Sequence, residues 1–261
     1  MIIVLPYRTY KNKMKSLVKP WFLSLFAGLV LVACKKDKEE IITLPVPTEE
    51  RNLDLHVHHF WNDVEFEYGQ VYNVNGTNVI LDDVRYYLSN FVSEGMMDDD
   101  TQPHLEKVLL IDAGIENERT LGEIELDHIH TLNFSLGLDY DTNHADPTAA
   151  AYPLNDGTMH WGWNPDSGYK FIVISGSRDP ESDGSYEYFE IHAATDAIYR
   201  ETSMMCHRDV AANGITLHVK VALDQWFNGI DFSIALAGTH GASVLTNSLA
   251  DNSITSFSIL D

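Results

Sequence analysis

The side chains with the widest chemical reach in this sequence are its histidines, and several of them come in company. The run His56-Val57-His58-His59-Phe60-Trp61 is the first group. In an extended strand His56 and His58 project to one face and His59 to the other, so a His-x-His pair can share one metal ion. Imidazole is the commonest protein ligand for copper, zinc and iron. Surface histidines on an edge strand are the plainer reading of the same residues. A second group, Met159-His160-Trp161-Gly162-Trp163, sets two indoles beside a thioether and an imidazole. The Gly168-Tyr169-Lys170-Phe171 that follows reads as a turn entering a buried strand, so the group on its own reads first as a packed aromatic corner.

Two further groups offer other donors. Met204-Met205-Cys206-His207 supplies thioether, thiol and imidazole, soft or borderline ligands that suit Cu(I). Consecutive residues of one strand cannot all face one ion, which sets Met205, Cys206 and His207 against a bland alternative, a loop with a half-buried thiol. From Asp179 onward, acids fall at positions 1, 3, 5, 9 and 12 with Gly184 at position 6, which approximates a calcium loop through Asp179, Glu181, Asp183 and Glu190. The flanks read as strands where such a loop needs helices, so an acidic hairpin turn is the preferred description, with calcium as the alternative. No His-Glu-x-x-His helix, Gly-x-Ser-x-Gly elbow or phosphate-binding glycine loop occurs, and no enzymatic activity is expected. The enzyme rival is a cupin-like metal site from His56, His58 and Glu65, but six residues separate His58 from Glu65 where that pattern allows three or four.

The elements that must position these residues are strands. Short alternating or apolar runs rich in β-branched and aromatic residues, broken by Gly, Asn, Asp and Pro, predict strands at 53–60, 79–92, 108–112, 124–138, 169–175, 186–193, 215–223 and 254–260. Periodicity leaves 81–91 open between a short helix and a strand. The pattern specifies an all-β chain, an antiparallel sandwich of about eight or more strands in a single domain over residues 52–261.

Ahead of that domain stands a different kind of segment. Arg8, Lys11, Lys13, Lys15 and Lys19 precede the apolar run from Trp21 to Ala33, with no acid before Cys34. This is the layout of a secretory signal over residues 1–33, and 13 apolar residues are too few to span a bilayer. Leu31-Val32-Ala33-Cys34 resembles a bacterial lipobox, with Cys34 as the lipidated residue and 34–51 as a charged, Pro-containing tether. The expected location is therefore outside the cytoplasm, lipid-anchored to the outer membrane on its periplasmic side or at the cell surface. From Cys34 on, 12 Lys and Arg face 39 Asp and Glu, a formal charge of −27, which excludes nucleic acid as a partner. Lipidation of Cys34 leaves Cys206 alone, so no internal disulfide forms.

Several spaced motifs recur in one order: Leu132-Asn133-Phe134-Ser135-Leu136-Gly137-Leu138, Asn143-His144-Ala145-Asp146, Pro153-Leu154-Asn155, the Met159–Trp163 group and Gly168-Tyr169-Lys170-Phe171. Arg85-Tyr86-Tyr87-Leu88-Ser89-Asn90 and Leu110-Ile111-Asp112 precede them, and Phe189-Glu190-Ile191-His192-Ala193 follows. Together they resemble the MbnP-like copper-binding domain family across residues 53 to 195. The resemblance implies a periplasmic or surface β-sandwich that binds copper, as Cu(I), through imidazoles and a tryptophan oxidised to kynurenine by a partner dihaem peroxidase. The matching positions are His192 and the Trp161/Trp163 pair, with His58 as the expected second imidazole and His56 and His160 as further candidates. One branch of the family carries four cysteines, whose absence here leaves the His/Trp arrangement standing. A metal-free scaffold or adhesion lipoprotein needs only the sandwich and the anchor and is the non-metal alternative.

Overall fold

The computed structural model describes residues 51–97, 100–104, 107–161 and 168–260. The signal segment, Cys34, most of the tether and Trp163 lie outside the described residues. Strand β1 (Asn52–Trp61) alternates without a break: Leu53, Leu55, Val57, His59 and Trp61 are buried, and the residues between them are half-buried. That period of two decides which histidines face the core and which face outward. β1 pairs with β2 (Val64–Glu65), β7 (Asn117–Glu123) and β12 (Gly214–Ala222), and β14 (Phe257–Ile259) completes a five-stranded sheet on the far side of β12.

The second sheet has nine strands. Its main path runs β11 (Arg200–Asp209), β8 (His128–Leu136), β4 (Thr77–Glu94), β9 (Lys170–Asp179), β10 (Glu187–Ala194) and β13 (His240–Gly241). β3 (Val71–Val74), β5 (Thr101–His104) and β6 (Leu109–Asp112) also pair with β4. The 18-residue β4 serves so many neighbours because its register shifts at Leu81/Asp83 and Ser89/Val92, where Asn90 adopts a φ of +54°. Such bulges bend a strand and release it from one partner to another.

The two sheets close on one core. Tyr86 of β4 packs edge-on to Trp226, and Phe134 of β8 packs edge-on to Phe257 of β14, at centroid separations of 5.0 Å each. Short helices join the strands: α1 (Tyr140–Asn143), α2 (Leu223–Trp226), which packs on β1, and α3 (Val244–Ser253), which packs on α2 and β10 and is opened by a capping box between Ser243 and Thr246.

The expected all-β sandwich is present, with differences in detail. The sheets are mixed, because β1/β12 and β10/β13 run parallel. Residues 81–91, left open by periodicity between helix and strand, are strand, paired with β6, β8 and β9. β2, β3, β5, β7, β11 and β13 are strands beyond those expected; in β11 the outward positions other than Met205 are polar and the inward ones are the soft side chains Met204 and Cys206, which weakens the strand signal.

Candidate metal centre

β10 carries Phe189, Ile191 and Ala193 into the core and leaves Glu190 and His192 together on the opposite face. β13 lies parallel to its edge, held by the His192 N–H donating to the Thr239 carbonyl at 2.7 Å, and its register sets His240 beside His192. The loop leading to β13 is tied down from the sheet. The buried Arg178 of β9 donates to the carbonyls of Phe232, at 2.7 Å, and Ile234, and pairs with Glu187 at 2.9 Å. A third wall comes from the strand-like return in which Trp161 N–H donates to Gly168 O at 3.2 Å and Lys170 N–H to Met159 O at 2.8 Å.

One ligand atom each from Glu190, His192 and His240 lies within 4.8 Å of the other two. The two imidazoles stand perpendicular, at 86° with centroids 4.7 Å apart. The Trp161 ring lies 5.5 Å from that of His192 and 6.0 Å from that of His240, with the Lys170 ammonium 4.9 Å above the indole. His240 Nε2 meets Glu190 at 3.1 Å.

Electrostatics suit a metal ion. Burial, with Lys170 nearby, lowers the His192 pKa to about 4, so its imidazole is neutral at physiological pH. Burial raises the Glu190 pKa, but His192, His240 and Tyr188 outweigh it and keep the carboxyl below its ordinary value. His192 Nδ1 is buried without a hydrogen-bond partner among the described residues. A neutral imidazole with an unused buried nitrogen, a second imidazole and a carboxylate form a donor set that fits copper.

The Asn143 motif supports this wall. Asn143 is buried; its Oδ1 accepts from Tyr169 N–H at 2.9 Å, and its Nδ2 donates to Asp196 at 2.7 Å. Gly168 adopts a φ of +66°, and a Cβ there would run into the Asn143 side chain. The glycine and the asparagine together fix where Trp161 leaves the sheet.

The other expected ligands are distributed differently. His56 and His58 do not join His192; they lie on the five-stranded sheet with His218 of β12, whose parallel register sets His218 opposite His56. His58 Nε2 is 3.1 Å from His218 Nδ1, and His56 is 3.4 Å from Glu116 and 3.9 Å from Glu118. Burial and its two imidazole neighbours lower the His58 pKa. Glu65 pairs opposite Phe60 and is not part of this group, so no cupin-like set assembles. His59 faces the core and bonds to Tyr86. His160 bridges to Tyr169, its Nδ1 buried without a partner, and belongs to none of the metal-competent groups among the described residues.

Met205, Cys206 and His207 diverge, as alternation requires. Met205 is exposed, while Cys206 is buried and burial pushes its thiol up to about 11, which keeps it protonated and out of a ligand set. His207 turns toward His128 and His130. The calcium pattern also comes apart: Asp179 is buried and accepts from the N–H groups of Asp183 and Gly184 at 3.1 and 3.0 Å, closing the β9–β10 turn, while Glu190 belongs with His192. His240, the missed partner of His192, sits in a Gly/Thr segment with no strand pattern of its own. Only the long-range parallel pairing places it.

The chain is a mixed β-sandwich whose sheets carry groups of histidines that could hold a metal ion. The sequence model of the MbnP family matches residues 50–245, and the chain belongs to that family. The solved structure of MbnP from Methylosinus trichosporium is similar at 16% identity and a TM-score of 0.54, covering 74% of this chain and 82% of that one, a likeness that shows the fold. No curated protein matches the chain.

Proposed function

We propose that this protein is a membrane-anchored copper-binding protein of the periplasm or cell surface, acting in copper acquisition or handling without catalysis. The observation that carries the reading is the His192/His240 pair, perpendicular and in contact, with an orphaned buried nitrogen on His192. His192 and His240 would hold Cu(I), with Glu190 beside them. Copper bound there supplies a redox-active centre next to the Trp161 indole. Trp161 is the candidate for oxidation to kynurenine, the modification the family resemblance implies, with a dihaem peroxidase as the partner that performs it. The lipid on Cys34 tethers the domain to the membrane through residues 34–51. The acidic chain contributes by drawing cations toward its surface.

Protein purified from its native host without chelators is expected to carry copper near one equivalent. The tryptic peptide spanning Trp161 and Trp163 is expected to show the mass change of kynurenine formation. Copper with an unmodified peptide would remove the oxidised tryptophan and keep metal binding; protein devoid of copper would remove the reading.

A further inference from the structure

The nine-stranded sheet ends in β13 on one side and in β11 on the other, so the β8–β11 pair lies at the opposite edge from His192. We propose that this edge carries a second, independent site for a borderline divalent transition ion of the Zn(II) class, formed by His128, His130 and His207 with Asp209 as the orienting carboxylate.

His128 and His130 flank Ile129, which is fully buried, and neither is itself in the core. Across from them the register breaks. Met205 opposes Thr131 and Arg208 opposes Ile129, so Cys206 and His207 share the place opposite His130. This is a bulge, a device that re-aims a side chain. His207 adopts a φ of +49°, a left-handed conformation uncommon for any residue other than glycine. The outcome is that the His207 ring lies 4.2 Å from that of His130, at 87°, and 6.5 Å from that of His128. One ligand atom of each imidazole falls within 4.8 Å of the other two.

The nitrogens are prepared as ligands. Asp209, opposite His128 in the register, holds His128 Nδ1 at 2.8 Å. A carboxylate accepting from Nδ1–H leaves the lone pair on Nε2, the second-shell arrangement of metal-ligating histidines. That Nε2 is buried with no hydrogen-bond partner among the described residues, and so is Nδ1 of His130. The neighbouring guanidinium of Arg208 is turned to the carbonyls of Cys206 and His207, at 3.4 and 3.5 Å. Three imidazoles select zinc, copper(II) or nickel over oxygen-seeking calcium and magnesium. His207 is exposed, so a water can complete the coordination.

The test uses the full chain carrying His192→Ala and His240→Ala, which silences the copper pair, titrated calorimetrically with Zn(II). His207→Asn is then added, because asparagine accepts the left-handed conformation and preserves the fold while removing the imidazole. The expected result is the loss of one zinc equivalent on His207→Asn. Asp209→Asn should weaken that same equivalent about 10- to 100-fold, and His56→Gln should leave it in place. Circular dichroism of the His207→Asn protein checks that the sheet is intact. Equal zinc stoichiometry and affinity with and without His207→Asn would overturn the proposal, as would disappearance of the equivalent on His56→Gln alone.

Discussion

His59 makes the fold sensitive to acid in a way that a single substitution should abolish. Its ring lies in the core between the two sheets, 4% exposed, with Nε2 2.8 Å from the hydroxyl of Tyr86. Burial lowers its pKa to about 3, with His58 adding to the effect. In the unfolded chain the imidazole titrates near its ordinary value of about 6.5. Below that pH the unfolded state binds a proton that the folded state refuses, so stability is complete above the unfolded pKa and falls as pH drops toward the folded one. The linkage relation gives a loss of about 2 kcal/mol at pH 5 and about 3 kcal/mol at pH 4 from this residue. Urea denaturation of the wild type and of His59→Gln, from pH 7.5 down to 4.5, measures it directly. Glutamine retains a polar partner for Tyr86 and does not titrate, so its stability should fall with pH less steeply, the gap between the curves closing by about 2 kcal/mol at pH 5. Stability curves that stay parallel over this range would refute the assignment of His59 as a neutral core imidazole.

Other expectations follow from the packing around the copper pair. Gly168→Ala strains a left-handed position and drives a methyl into Asn143, so it should lower stability by about 1–3 kcal/mol in thermal unfolding and weaken copper binding by displacing Trp161. Arg178→Ala removes the buried anchor of the loop before His240; competition with a copper chelator should show weaker affinity while circular dichroism shows intact strands. In protein produced without the peroxidase partner, where Trp161 keeps its indole, copper bound by His192 and His240 would lie close enough to quench its fluorescence, and Trp161→Phe should remove most of the copper-induced quenching. Cys206→Ala should leave copper affinity unchanged, and the native thiol should react with an aromatic disulfide reagent only as urea unfolds the chain.

The strands were legible because alternation in sequence is alternation in space: Leu53, Leu55 and Val57 announce the inner face of β1, and the same count sends His56 and His58 outward and His59 inward. The grouping of ligands was not legible. His56 finds His218, and His192 finds His240, through parallel pairings between strands far apart in sequence, which no local pattern encodes. His207 reaches His130 through a bulge whose positive φ falls on a histidine rather than the glycine that would have signalled it. Glu190 was drawn into a calcium pattern by its spacing from Asp179, although Asp179 is committed to closing the turn and β10 carries Glu190 to the histidines. The motifs around Asn143 and Gly168 were visible as residue types, and their role as the brace behind Trp161 emerged from one shared side chain.

The central claim is that copper sits between β10 and β13. The most direct measurement is copper retained per chain after challenge with a Cu(I)-selective chelator, compared between the wild type and the His192→Ala/His240→Ala variant. About one tightly held copper is expected in the wild type and none in the variant, with both proteins folded by circular dichroism. Equal retention by the two would place the copper elsewhere on the sandwich and contradict the account.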